Sequence, residues 1–122
     1  MKNPHKGVTG VKRLTNAAGY SLAGLAAAYR HEQAFRQVTW LAAICIPLAL
    51  WLPVSPVERA LLIASVALVA LVELLNSGLE AAVDRVSFRK HPLAKRAKDI
   101  ASAAVLLSIL NAAAVWSVIL IG

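Results

Sequence analysis

An apolar run that begins near Val57 ends in Leu71-Val-Glu-Leu-Leu-Asn-Ser-Gly-Leu-Glu-Ala-Ala-Val-Asp84, where Glu73, Asn76, Glu80 and Asp84 follow one another in steps of three and four. Those steps put all four side chains on one stripe of an α-helix. The opposite stripe is Val72, Leu75, Leu79 and Val83, which can face lipid or a partner helix. Val57–Leu75 is about 19 residues, or ~28 Å at ~1.5 Å per residue, close to the ~30 Å thickness of the hydrocarbon. This segment can therefore cross a bilayer, with Glu73 near the edge of the hydrocarbon and Glu80 and Asp84 beyond it. Charged groups inside a membrane are costly and face a protein interior or a water-filled cleft. An acidic stripe so placed predicts a site at a membrane surface, with a counter-charge, a proton or a metal ion to balance it.

The rest of the composition fits a membrane protein. The chain has 122 residues, 59% of them hydrophobic, which is more apolar than a soluble domain of this length would be. Three runs qualify as spans, about Val38–Leu52, Val57–Leu75 and Ile100–Ile121. Extended to their helical limits they predict spans over about 36–52, 57–84 and 98–121, in one domain covering 1–122. The N-terminus is polar and the first apolar run starts late, so no signal peptide is expected. The single cysteine, Cys45, lies within a span, which excludes an intrachain disulfide or a cysteine metal site.

The net charge is +7, and its placement is informative. Lys2, Lys6, Lys12, Arg13, Arg30 and Arg36 precede the first span, and Arg85, Arg89, Lys90, Lys95, Arg96 and Lys98 lie between the second and third. Only Arg59 lies near the first loop. The positive-inside rule then puts the N-terminus and second loop in the cytoplasm and the C-terminus outside. Topology accounts for the basic excess, so nucleic acid is not expected as a partner.

Residues 1–7 are polar and expected to be disordered. From Val8 the apolar positions run Val8, Val11, Leu14, Ala18, Leu22, Leu25 and Tyr29, which predicts an amphipathic helix lying in the membrane interface over about 8–33. Gly19 and Gly24 are expected to bend or divide it. Glu32 follows in a strongly basic segment and has two readings, an i,i+4 partner for Arg36 or a metal ligand brought towards Glu80. Pro47 is expected to kink the first span, with Trp40 and Trp51 anchoring its ends. Ser55-Pro-Val-Glu58 reads as a capping box, which accounts for Glu58 without chemistry.

Pro92 is placed to open the third span as a helix. A helix N-terminus with Lys95, Arg96 and Lys98 is a natural phosphate site, although positive-inside charge explains Lys95 and Arg96 equally well. Lys98 and Asp99 abut the apolar run at Ile100 and so are expected about level with Glu73. His91 has two readings, a phosphate or adenine contact or the commoner exposed loop histidine. Ser102, Ser108, Asn111, Trp116 and Ser117 fall in the third span, where small and polar residues mark helix–helix contacts.

Phosphoryl transfer needs mainly positioning and charge neutralisation, and this inventory can provide both. Mg²⁺ takes one or two carboxylates plus phosphate oxygens, which Glu80 and Glu32 could supply. Glu73, desolvated at the bilayer edge, could accept the proton of an attacking hydroxyl, with Asn76 orienting it. A non-enzymatic membrane protein, either a cation pathway or a structural subunit, is the rival class. A pathway would need acids across the span, and none lies between Glu58 and Glu73, roughly 22 Å apart at the helical rise.

Glu73-Leu-Leu-Asn-Ser-Gly-Leu-Glu-Ala-Ala-Val-Asp84 closely resembles the signature of the small bacterial integral-membrane diacylglycerol kinases. Ala17-Ala-Gly-Tyr-Ser21, Glu32-Gln-Ala-Phe-Arg-Gln37 and Ala97-Lys-Asp-Ile-Ala-Ser-Ala-Ala-Val105 match as well, so the resemblance covers nearly all of the chain after about residue 8. It implies an all-α membrane protein of the bacterial inner membrane, with an N-terminal amphipathic surface helix and three transmembrane helices per subunit, assembled as a homotrimer with composite sites between subunits. The implied reaction is transfer from Mg·ATP to 1,2-diacylglycerol, giving phosphatidic acid and ADP. Glu73 is then the general base, Glu32 and Glu80 are Mg²⁺ ligands, and Asn76 and Asp84 support the site. Arg13, Tyr20, His91, Lys98 and Asp99 fall at nucleotide contacts. Ala18, Ser21, Ala34, Phe35, Arg36, Gln37, Ser102 and Trp116 fall along the lipid groove. The sequence departs from enterobacterial members at Val38, Leu22, Arg89 and Lys90. His91-Pro-Leu-Ala-Lys-Arg-Ala-Lys-Asp99 also looks like the related undecaprenol kinases, the alternative within the family.

Overall fold

The structure, a computed structural model, describes residues 9–86 and 91–122. The expected disorder of residues 1–7, the helix start at Val8 and the departures at Arg89 and Lys90 lie outside the described residues. Four helices follow in chain order: α1 Gly10–His31, α2 Gln33–Trp51, α3 Pro56–Val86 and α4 Pro92–Ile121. Among the described residues there is no strand. The all-α class expected from the apolar runs is the observed one.

Helices α2, α3 and α4 are each long and apolar enough to cross a membrane. At ~1.5 Å per residue α2 is ~28 Å long, while α3 and α4 are both near 45 Å and exceed the ~30 Å hydrocarbon. The last turns of α3 and the first turns of α4 therefore stand clear of the hydrocarbon at one surface. Helix α3 is the central element. It packs along both α4 and α2 and touches α1 only sparsely.

Small residues let these helices approach. Leu62 is fully buried in α3, with Val66 and Val69 on the same face and Ala49 of α2 beside them in the core. The Trp116 indole N–H donates to the Leu62 carbonyl at 3.2 Å and ties α4 to α3. Ser65 and Ser108 are buried, and each hydroxyl donates to a carbonyl of its own helix, at 2.9 and 2.7 Å. Much of the outside is apolar: Ile44, Leu71, Leu75, Leu107 and Leu110 are each more than half exposed. In water such a surface would drive aggregation, whereas in a bilayer or against other subunits it is the stable one.

Helix α1 runs unbroken through Gly19 and Gly24, so the expected division does not occur. It opens at Gly10, whose φ of +66° lies in the left-handed region that glycine enters without a Cβ penalty. Its apolar stripe is uncovered, with Val11, Leu14 and Leu22 all more than two-thirds exposed. A helix with that face bare is suited to lie in a membrane interface.

Both corners between the first three helices are closed by an arginine of the following helix. At the first, Glu32 is extended (φ −116°, ψ 108°) and separates α1 from α2. The Arg36 guanidinium donates to the carbonyls of Tyr29 at 2.8 Å and Arg30 at 3.0 Å, which sit in the last turn of α1 and lack intrahelical partners. The expected Glu32–Arg36 pair is not formed. The i,i+4 rule requires both residues on one helix, and Glu32 is the N-cap of α2 with its backbone off the helix.

At the second corner Pro53 has no N–H to offer the Ala49 carbonyl, which would otherwise lose its i+4 donor. Arg59 supplies one at 2.7 Å and also donates to Leu50 at 2.7 Å, Leu52 at 3.1 Å and Val54 at 3.0 Å. The capping box expected at Ser55 is present: the Ser55 N–H donates to Glu58 Oε1 at 2.9 Å, and the Glu58 N–H to Ser55 Oγ at 3.2 Å. Charge-assisted bonds of this kind contribute ~1.5–3 kcal/mol each, and an orphaned buried carbonyl costs ~1–3 kcal/mol. Arg59→Met should therefore lower the unfolding free energy in detergent by about 2–3 kcal/mol, and Arg59→Lys by less. Denaturant titration followed by tryptophan fluorescence measures both; equal stability of Arg59→Met and the parent chain would contradict this account of the corner.

Candidate active site

The polar stripe of α3 comes out of the apolar run where α1 passes over it. Glu73 is 5% exposed and faces the protein, while Leu75, one turn-face away, is 67% exposed. One helix thus shows a carboxylate inward and a leucine outward, as the three-and-four spacing requires. Glu80 is half-buried, and Ser77, between the two glutamates, is buried.

A cleft of about 900 Å³ opens between α1 and the end of α3, and its walls include Ser21, His31 and Glu32 on one side and Ser77, Glu80 and Asp84 on the other. The extended backbone at Glu32 takes that carboxylate off the α2 ladder and into this opening. Gly24 and Gly78 also line it, and a Cβ added at either would meet nothing within 4 Å. These glycines keep the opening wide rather than allowing a close helix contact. Glu73 lies near enough to Glu80 and Glu32 to feel both charges. Three carboxylates from two chain segments therefore share one neighbourhood.

Asn76 sits among them. Its side-chain amide donates to Glu80 Oε1 at a long 3.4 Å. Its Oδ1 is buried and has no partner among the described residues. A buried acceptor left unpaired costs ~1–3 kcal/mol, and such atoms tend to mark where an outside donor belongs.

One cation reaches the edge of the cleft through Asp84. Lys98, only 20% exposed at its side chain, reaches across from α4 to Asp84 at 2.5 Å. This pair corrects the expected depth of Lys98 and Asp99. Helix α3 continues through Val86, so the α3–α4 hairpin sets Lys98 level with Asp84, about 16 Å along the helix from Glu73. Asp99 pairs instead with Lys95 at 2.7 Å on the exposed face. His91 is the N-cap of α4, its Nδ1 accepting from the Leu93 N–H at 3.1 Å, with Pro92 at the first helical position.

The remaining candidates are dispersed in a single chain. Arg13 and Tyr20 are exposed on α1 outside the cleft lining. Ala18, Ala34, Gln37 and Ser102 are exposed as well. Phe35 is buried at the α1–α2 corner and, with Arg36, Leu25, Tyr29 and Thr39, borders a separate groove of about 730 Å³. Trp116 is bonded to Leu62, which lies about 16 Å along α3 from Glu73 towards the other surface. Ser77, His31 and the two cleft glycines were given no role from the sequence. Small residues placed between the acids of the stripe were the signal for Ser77 and Gly78.

Among the described residues, no three His, Cys, Asp or Glu side chains converge as a closed metal cage. What the geometry offers is a pair of carboxylates on facing walls, a buried third, and a lysine alongside.

Fold and site together define a helical membrane protein with three spans and an acidic cleft at one membrane surface. Comparison with known proteins makes this specific. The family described as prokaryotic diacylglycerol kinase matches residues 19–120. A diacylglycerol kinase of Pseudomonas aeruginosa is 53% identical over 98% of this chain and 98% of its own length. One of Escherichia coli is 48% identical over 92% of each chain, and one of Haemophilus influenzae 45% over 92% of this chain and 95% of its own. The chain belongs to the prokaryotic diacylglycerol kinase family.

The Lys98–Asp84 contact ties α4 to α3 beside the cleft, and one partner is mostly shielded from water. A double-mutant cycle of Lys98→Met and Asp84→Asn on unfolding in micelles should give a coupling of about 1 kcal/mol. Strictly additive effects would mean that the contact does not hold the two helices together.

Proposed function

We propose that this chain is a lipid kinase that transfers the γ-phosphate of ATP to 1,2-diacylglycerol, yielding phosphatidic acid and ADP. The observation that carries the reading is the cleft at the end of α3, where Glu32 and Glu80 face each other beside buried Glu73. Family membership supports it, since the relatives are named diacylglycerol kinases. The site's depth supports it too: a lipid hydroxyl at the headgroup level and a nucleotide from water can meet only at such a surface.

In this reading Glu73 is the general base. The acceptor oxygen forms a bond to the γ-phosphorus as its proton passes to the Glu73 carboxylate, and the bond from phosphorus to the β,γ-bridging oxygen breaks to release ADP. Burial keeps Glu73 from being levelled by water, which suits a base. The unpartnered Oδ1 of Asn76 is placed to accept from the acceptor hydroxyl and so to orient it.

Mg²⁺ favours oxygen donors and typically takes one or two carboxylates plus phosphate oxygens. Glu32 and Glu80, two carboxylates on facing walls of an open cleft, fit that requirement and would hold the ion that accompanies ATP. When bound it would neutralise charge on the phosphate oxygens. Lys98, released in part from Asp84, would meet the same phosphates, with Arg13, Tyr20, His91 and Asp99 as further nucleotide contacts. Ala18, Ser21, Ala34, Phe35, Gln37 and Ser102 would border the lipid.

Several of these residues are far apart in one chain, which a homotrimer with sites shared between neighbours would resolve. Asn111 and Ser102 are exposed on the long apolar helix α4, and polar groups on a span are satisfied by another helix rather than by lipid. Trp116, on the opposite half, would reach a lipid only through a neighbour or a long acyl chain. The basic N-terminal segment and second loop favour an N-terminus inside, a C-terminus outside, and residence in the bacterial inner membrane.

Undecaprenol is the alternative acceptor. Purified protein in mixed micelles, given radiolabelled Mg·ATP, should phosphorylate diacylglycerol faster than undecaprenol. Glu73→Gln should lower that transfer by about 10²–10⁴-fold while the helical content is retained. Undecaprenol as the better acceptor would reassign the substrate, and substantial transfer by Glu73→Gln would remove the base.

A further inference from the structure

The cleft requires Glu32 to be held opposite Glu80, yet Glu32 sits at the bend between two helices rather than within either. It lies between α1 and α2 in an extended conformation, and its side chain makes no capping bond to α2. Its N–H donates to the Ala28 carbonyl at 2.9 Å and its carbonyl accepts from the Arg36 N–H at 3.2 Å. Those two bonds fix its backbone but not the angle at which α1 leaves α2. Direct packing of α1 on α3 is sparse, so it does not fix that angle either.

The Arg36 guanidinium supplies the missing restraint. One nitrogen, Nη1, donates to both the Tyr29 and Arg30 carbonyls, at 2.8 and 3.0 Å. Arg36 stands on the first turns of α2, and the two carbonyls belong to the last turn of α1. A cation at that C-terminus is favoured by the helix dipole as well as by the two bonds. The resemblance to known kinases places Arg36 along a lipid groove. In this chain its donors turn back onto the backbone, and the residue they bracket is Glu32.

We infer that Arg36 is a positioning residue for Glu32, setting the corner between α1 and α2 and thereby holding the Glu32 carboxylate across the cleft from Glu80. This rests on the kinase reading, in which Glu32 serves the nucleotide and its ion. Arg36 then acts on the nucleotide side of the reaction, although it is itself remote from the phosphates. Lysine at the same place keeps the charge but carries a single compact donor head in place of the planar fork.

The test is steady-state kinetics of the full-length protein in mixed micelles, with Mg·ATP and diacylglycerol varied separately. Transfer by the parent chain establishes the kinase reading by itself; its absence would overturn that reading. Given transfer, Arg36→Met should raise KM for Mg·ATP by about tenfold with KM for diacylglycerol changed less than about twofold. Arg36→Lys should fall between the two, and it serves as the comparison if Arg36→Met does not insert. In a Glu32→Gln background, Arg36→Met should add little further to KM for Mg·ATP, because residues acting as one unit are not additive. A rise confined to KM for the lipid, or full additivity with Glu32→Gln, would overturn the positioning role.

Discussion

The constraint on which this structure depends is the cost of placing a carboxylate at the edge of hydrocarbon. A charged group near the middle of a span costs at least ~2.5–3.5 kcal/mol if lipid is its surroundings. Glu73 escapes that by facing inward from α3, at 5% exposure, while the same turn presents leucine outward. The spacing of Asn76, Glu80 and Asp84 then brings the stripe out of the membrane along one wall of a cleft. Each successive polar residue is more exposed than Glu73, and the last of them meets a lysine of α4. A gradient from dry to wet along one helix is what a reaction between a lipid alcohol and a nucleotide requires.

The second element of the design is the way short corners hold long helices. Neither corner among α1, α2 and α3 is a well-packed loop, and each leaves carbonyls at a helix end without donors. Arg36 and Arg59 satisfy them from the next helix. The arrangement closes each short corner with a guanidinium bonded back to carbonyls of the preceding segment. At the second corner the consequence is stability, because Pro53 would otherwise orphan the buried carbonyl of Ala49. At the first corner the consequence reaches the site, because Glu32 is the residue at the bend.

Much of the fold was legible in the sequence because hydropathy and helical length answer to the same bilayer thickness. Three apolar runs, the Ser55–Glu58 box and Pro92 at the start of α4 mark elements by local rules that tertiary packing does not override. The acidic stripe was legible for the same reason, since its spacing is a property of one helix. What escaped lies between helices. The end of α1 carries no glycine or proline at Glu32 to show it, so Glu32 and Arg36 looked like neighbours on one ladder. The depth of Lys98 was misjudged because apolar content ends before the helix does: α3 runs on through Val86, and the hairpin register follows the helix. Residues such as Arg13, Tyr20 and Trp116 took their roles from family resemblance, and no pattern within the chain says how separate subunits would gather them.

The central claim is that Glu32 and Glu80, carried by different segments, form one site for a divalent ion and the phosphates that come with it. Mn²⁺ in place of Mg²⁺ makes that directly observable through water-proton relaxation in micelles containing a non-hydrolysable ATP analogue. The account predicts one tight ion–nucleotide site per chain, weakened by about tenfold or more by Glu32→Gln and by Glu80→Gln alike. Equal affinity in the parent protein and both variants would contradict it.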